Sequence, residues 1–306
     1  MGALQPRRSP AMFDLLGVAP QALFSQLLLG LINGAFYAML SLGLAVIFGM
    51  LNVVNFAHGA LYMTGAFVAW LLLDKLGLGY WPALVVAPAA VALLGVVIER
   101  TMLRWLYKLD HLYGLLLTFG LALVIQGLFR NEYGSSGQAY QMPGALTGGQ
   151  NLGFMFLPNY RAWVVVASVT VCLGTWYLIE RTKLGSYLRA ATENPALVQA
   201  FGINVPVMLT LTYAGGVGLA ALAGVMAAPI YNVSPQMGGD LIIIVFAVVV
   251  IGGMGSIMGS IVTGFGLGVI EGLTKVFFPE ASNTVIFVIM AIVLLIKPAG
   301  LFGRTA

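Results

Sequence analysis

The sequence predicts an all-α polytopic integral membrane protein with about eight to ten transmembrane helices. Three observations carry this. Sixty per cent of the residues are apolar and only 8% are charged, against roughly 25% charge in a soluble domain. The mean hydropathy is +0.98. Nine apolar runs of spanning or near-spanning length recur along the 306 residues, near 22–48, 50–73, 81–98, 112–129, 162–179, 208–231, 240–254, 257–278 and 284–297. No composition shift marks a separate soluble domain, so residues 1–20 read as an N-terminal tail and 21–303 as one membrane domain. The 39 glycines suit helices whose backbones approach closely in lipid.

The first run contains Asn33-Gly34 and could tilt or break there, and the region near 49–60 admits a broken or re-entrant segment. Orientation follows from the cations, which concentrate in cytoplasmic loops. Arg100, Arg104 and Lys108, then Arg181, Lys183 and Arg189, then Lys297 and Arg304 place two loop segments and the C-terminus on the cytoplasmic side. The excursion 130–161, long and poor in cations, then faces outside. Two crossings before residue 80 put the N-terminus outside, against the pull of Arg7 and Arg8, whereas a re-entrant segment would put it inside.

The segment 180–207 is a polar island between two apolar runs. Its second half reads as a capped short helix: Asn194 as N-cap, Pro195 at the first helical position, Ala196 to Phe201 as body, Gly202 as the stop. A membrane protein that builds such a helix on its cytoplasmic face presents a rigid knob to a soluble partner.

Asn52, Asn55 and His58 fall three residues apart and would share one face of a helix. At membrane depth they either line a pathway or fix helix packing by hydrogen bonds. Glu271 and Lys275 stand at i, i+4, as a helix-end ion pair or, alternatively, a proton-coupling carboxylate. Cys172 lies in an apolar run, and the two histidines, His58 and His111, are far apart, so neither a disulfide nor a metal site is expected. No G-x-x-x-x-G-K-[ST], G-x-S-x-G or H-E-x-x-H occurs, so no catalytic residues and no bound cofactor are expected. The dispersed cations argue against nucleic-acid binding. A faint echo relates Ile47–Asn52 to Ile251–Ser256, each at a Gly-interrupted break; chance in Gly-rich apolar sequence produces such echoes too.

Taken together, Asn33-Gly34 through Gly43-Leu44, Ile47-Phe48-Gly49, Asn55-Phe56-Ala57-His58-Gly59, Tyr62-Met63-x-Gly65-Ala66, the loop with Gly185, Arg189-Ala190, Asn194-Pro195 and Gly202-Ile203, and Gly252-Gly253-Met254-Gly255-Ser256 resemble the permease subunit of bacterial branched-chain amino acid ABC importers. Val198 departs from the alanine common in the family loop, and Ala60 from a frequent polar residue. The resemblance implies a multi-pass protein of the bacterial inner membrane with a cytoplasmic C-terminus. It implies two cytoplasmic ATPase subunits that bind the ATP, a second related permease (a heterodimer favoured over a homodimer) and a periplasmic or extracellular substrate-binding protein. On this sequence it makes 180–207 the coupling loop, with Arg189, Glu193, Asn194, Pro195, Ala196, Ala200 and Gly202 as ATPase-coupling residues. Asn33, Asn52, Asn55 and His58 are the pathway candidates. Relatives with this signature also serve urea, short amides and other small acids, and a stand-alone secondary transporter is the competing class.

Overall fold

The structure, a computed structural model, describes residues 19–51, 53–107, 109–153 and 155–303. Among the described residues, seven helices are long and apolar enough to cross a membrane: α1 (Pro20–Leu51), α2 (Ala57–Leu76), α3 (Tyr80–Leu106), α4 (His111–Tyr133), α5 (Asn159–Arg181), α8 (Val205–Ala227) and α10 (Ile257–Phe277). Two short helices, α6 (Lys183–Glu193) and α7 (Pro195–Ala200), lie between α5 and α8. Two shorter apolar helices, α9 (Met237–Gly252) and α11 (Val285–Ile296), complete the bundle. Every apolar run of the sequence is therefore a helix. The 130–161 excursion is shorter than its sequence bounds, because α4 continues to Tyr133 and α5 starts at Asn159. It carries a small antiparallel hairpin, β1 (Gly149–Asn151) with β2 (Phe156–Pro158), in the register Gly149↔Pro158.

Contacts between elements assign each helix terminus to one of two ends. At the cation-rich end, Gly49 abuts Gly255, Val53 packs on Gly114, and Gly253 touches Gly303. At the opposite end Tyr231 donates to Asn33, the Gln138–Val233 bridge forms, and Gly272 meets the Gln26 carbonyl. From Gln26 to Gly49, α1 thus runs the full depth of the bundle, about 35 Å at 1.5 Å per residue. α2 returns from the neighbourhood of Tyr213, beside Asn55, to Tyr133, beside Trp70. Two expectations are corrected. Asn33-Gly34 does not break α1, because Gly34 sits flush against the α10 backbone at Phe265 and is held in the helix by that packing. The 49–60 region is broken but not re-entrant, since α1 and α2 on either side of the break each cross the bundle; residue 20 therefore begins at the end opposite Lys297.

Glycines set the closest approaches between helices, around a core that also buries large side chains such as Met39, Tyr62, Phe67 and Tyr213. The most extensive seam joins α1 to α10. A methyl group at Gly268 would fall 2.4 Å from the Gly30 carbonyl oxygen and from the Gly34 backbone, and one at Gly264 would fall 2.5 Å from the Ala38 backbone. α8 closes on α1 where Gly43 meets the Gly216 carbonyl, and on α2 where Gly65 meets Ala221 and Gly224 meets Tyr62. Lipid tails are as apolar as leucine, so helices associate through close packing rather than hydrophobic exclusion. Small residues permit that approach. α4 turns Leu116, Leu123 and Leu128 outward, a face suited to hydrocarbon. At the opposite end Tyr80, Trp81, Tyr160 and Trp163 cluster edge to face, and the Tyr160 hydroxyl donates to the Met226 carbonyl. Such rings suit the membrane–water boundary.

Gly268→Val is expected to destabilise the solubilised protein by about 3 kcal/mol or more, since overpacking here strikes backbone that cannot move aside. Gly266→Ala, with nothing within 4 Å of its added methyl, is the neutral control. Thermal unfolding in detergent checks the pair.

Candidate functional site

The polar island is a compact device at the cation-rich end. Gly185 lets α6 fold back on α5, because any Cβ there would collide with the Ile179 carbonyl. Arg189 reaches back from α6 to the end of α5. It donates to the Ile179 carbonyl at 3.2 Å and to the Glu180 carboxylate at 3.4 Å. A cation suits the C-terminal end of a helix. Leu188 and Ala191 turn inward while Tyr187 and Glu193 face out.

α7 is locked at both ends. Asn194 Oδ1 accepts from the Leu197 amide at 3.0 Å, and Pro195 occupies the first helical position. At the other end Gly202 adopts φ +81°, a left-handed conformation that a side chain would strain. Its amide donates to the Gln199 carbonyl, and the Ile203 amide to the Val198 carbonyl. Two residues on, Asn204 caps α8 by accepting from the Val207 amide at 3.2 Å. Val198 is the one buried residue of α7 and packs with Ala191 and Val205, so α6, α7 and the start of α8 share a small apolar cluster. Exposed here are Glu193 at the end of α6, Ala196 and Ala200 of α7, and two large apolar side chains, Leu197 of α7 at 54% and the α7 C-cap Phe201 at 78%.

Beside this device lies a buried carboxylate that directly follows the apolar run 81–98. Glu99 opens a π-helical turn (Glu99–Leu103) within α3 and is 1% exposed. Thr210 of α8 donates to it at 2.7 Å and Tyr107 at 3.0 Å. Burial first, and Glu99 second, raise the Tyr107 phenol above its ordinary value, so it remains a protonated donor. A cavity of about 580 Å³ opens here, edged by Arg100, Arg104, Gln199 and Asn204. The sequence signal for Glu99 was its position immediately after the apolar run ending at Ile98; its partners lie 8 and 111 residues away and could not be read locally.

The pathway candidates are scattered. Asn52 lies outside the described residues. Asn55 sits in the break before α2, so it does not share a helix with His58; it donates to the Tyr213 hydroxyl at 3.2 Å. His58 is fully buried, with Nε2 3.0 Å from the Leu40 carbonyl and its ring against Gly43. Asn55 thus contacts α8 and His58 contacts α1. Asn33 is at the opposite end, where it accepts from Tyr231 at 3.2 Å and lines a cavity. Near it, Glu271 is held by Lys275 and by the Tyr37 hydroxyl at 2.7 Å. Among the described residues no group of His, Cys, Asp or Glu could hold a metal ion.

Residues 26–294 match the family described as branched-chain amino acid transport system / permease component. The chain belongs to this family. The permease is 31% identical to the high-affinity branched-chain amino acid transport system permease protein BraD of Pseudomonas aeruginosa, over 91% of this chain and 95% of that one. It is 28% identical to the permease protein LivH of Escherichia coli (strain K12), with the same coverages. The permease protein LivM of the same organism is 27% identical over 88% of this chain and 68% of its own length. No solved structure matches the permease.

Thr210→Val removes one of two donors from a buried carboxylate and is expected to destabilise the permease by about 1–3 kcal/mol, while Thr210→Ser restores the bond. Thermal unfolding of the three proteins in detergent tests this.

Proposed function

We propose that this permease forms part of the translocation pathway of an ATP-driven importer of branched-chain amino acids, in a bacterial inner membrane. The substrate class rests on the names of the relatives, BraD and LivH. Two cytoplasmic ATPases bind and hydrolyse the ATP, and a binding protein outside delivers the substrate. Similarity to both LivH and LivM, two permease proteins of one organism under one system name, supports pairing with a second related permease. The cation-rich end is the cytoplasmic one under the positive-inside rule, which places the C-terminus inside.

The observation that carries the reading is the outward face of α7. Leu197 and Phe201 project from a helix fixed at both termini, an arrangement that suits a pocket on a soluble subunit. An exposed apolar pair on a rigid element signals a partner. Its movement has two mechanical outlets. Val198 ties α7 to the start of α8, and the Thr210–Glu99 bond ties α8 to α3. α8 in turn bears on α1 and α2 at Gly216 and Gly224. When the ATPases close, α7 moves as a unit and α8 carries the displacement into the helices that α1 organises.

The experiment is solubilisation of the assembled importer, identification of what co-purifies, and ATP-driven leucine uptake in proteoliposomes. Leu197→Ala with Phe201→Ala is expected to weaken ATPase retention by about a hundredfold, as loss of two apolar anchors implies, and to abolish uptake without affecting membrane insertion. Undiminished uptake and ATPase retention would exclude α7 as the coupling element.

A further inference from the structure

At the end opposite α7 the bundle holds an open-sided cavity of about 370 Å³ between α1, α2, the connection after α8, and α9. This falls within the size range of small-molecule sites. Its apolar lining comes from Phe36, Met237 and Leu241, and the other lining residues carry polar groups. Asn33 accepts from Tyr231 through its Oδ1, which leaves its amide hydrogens as donors. Asn232, Ser234 and the Asp240 carboxylate complete the rim.

Tyr62 points to a ligand. It lines the cavity from α2, is 1% exposed, and its hydroxyl has no hydrogen-bond partner among the described residues. A buried hydroxyl left unpaired costs free energy, so packing alone would favour phenylalanine there. The neighbouring phenols are committed: Tyr37 to Glu271, Tyr231 to Asn33. Opposite charges flank the site. Asp240 lies on its rim, and Arg161 stands close enough to Tyr231 to oppose partly the rise that burial imposes on that phenol.

We propose that this cavity is a substrate site within the permease itself, built for a small zwitterion with an apolar side chain. Asp240 and the Tyr62 oxygen accept from the ammonium group, the Asn33 and Asn232 amides donate to the carboxylate, and Phe36, Met237 and Leu241 receive the side chain. This inference rests on the importer reading above and adds to it that selection also occurs at the entrance of the permease, after delivery by the binding protein.

The test uses the complete importer in proteoliposomes, with tritiated leucine as probe and saturating binding protein. Tyr62→Phe and Asp240→Asn are each expected to lower uptake about tenfold, the loss that follows when a charged group gives up one hydrogen bond. The unfolding midpoint of the assembled complex should not fall, because Tyr62→Phe deletes a hydroxyl with no hydrogen-bond partner among the described residues and Asp240 is exposed. ATP hydrolysed per leucine imported should rise in both. Uptake and coupling ratio equal to wild type in both variants would overturn the cavity as a substrate site. Failure of the wild-type complex to import any branched-chain amino acid would instead overturn the importer reading. Loss of uptake matched by loss of the assembled complex in Tyr62→Phe would assign the hydroxyl to folding and overturn the proposal as well.

Discussion

Backbone-to-backbone contact along α1 is the constraint on which the remaining structure depends. A helix in lipid gains little by burying leucine against leucine, so it must gain by coming close. α1 does so on two flanks. Gly30 and Gly34 admit α10, and Gly43 admits α8. Because these contacts are with main chain, they cannot be relaxed by rotating a side chain. They fix the crossing points of α8 and α10 on α1, and through α8 the position of α2, whose Tyr62 carbonyl bears on Gly224. Both the end that carries α7 and the cavity at the other end inherit their geometry from this seam.

That rigidity bears on how a signal can cross the molecule. A loosely packed bundle would dissipate a push on one helix in side-chain rearrangement. Here α8 has a stiff entrance, fixed by Asn204 and by the Val198 cluster, and stiff neighbours along its length. It joins α7 at one end to the region beside Tyr62 at the other. The π turn at Glu99 gives α3 a local change of pitch where it meets α8, and π turns recur where helices serve function. A device that must move small distances reliably is better made of bodies that shift than of helices that bend.

Much of this was legible in the sequence, for definable physical reasons. Hydropathy reads helices in lipid well because length and apolarity are imposed by the membrane itself, and α7 was legible because Asn194, Pro195 and Gly202 act on backbone within a few residues. What failed was nonlocal. Asn33-Gly34 reads as a break, yet Gly34 strengthens α1 through a partner 231 positions later, Phe265. Asn55 and His58 read as one face, but backbone geometry between Val53 and Phe56 separates them. Glu99 directly follows the apolar run 81–98, a position any charged boundary residue could hold. Its burial depends on Thr210, and no local pattern announces that pairing. Tyr62 was part of a family motif with nothing in its spacing to show that it would line a cavity with its buried hydroxyl unpaired.

The two interruptions of the bundle show how irregular backbone survives among apolar helices. Unpaired amides and carbonyls are costly away from water, so a break must be stitched by other groups. In the break between α1 and α2, Thr118 of α4 does this twice. Its hydroxyl accepts from the Phe56 amide and donates to the Val54 carbonyl, both at 3.1 Å. In the break between α9 and α10, the segment after α11 takes that part. The Leu301 and Phe302 amides donate to the Ile251 and Gly252 carbonyls. The faint sequence echo at these two places corresponds to contact in space, because Gly49 and Gly255 lie against each other. Two adjacent breaks, each braced by a separate element, behave as fixed corners rather than as hinges. Under the proposed coupling, motion of α7 reaches α1 and α2 through α8, which is the long helix that packs on both without belonging to either break.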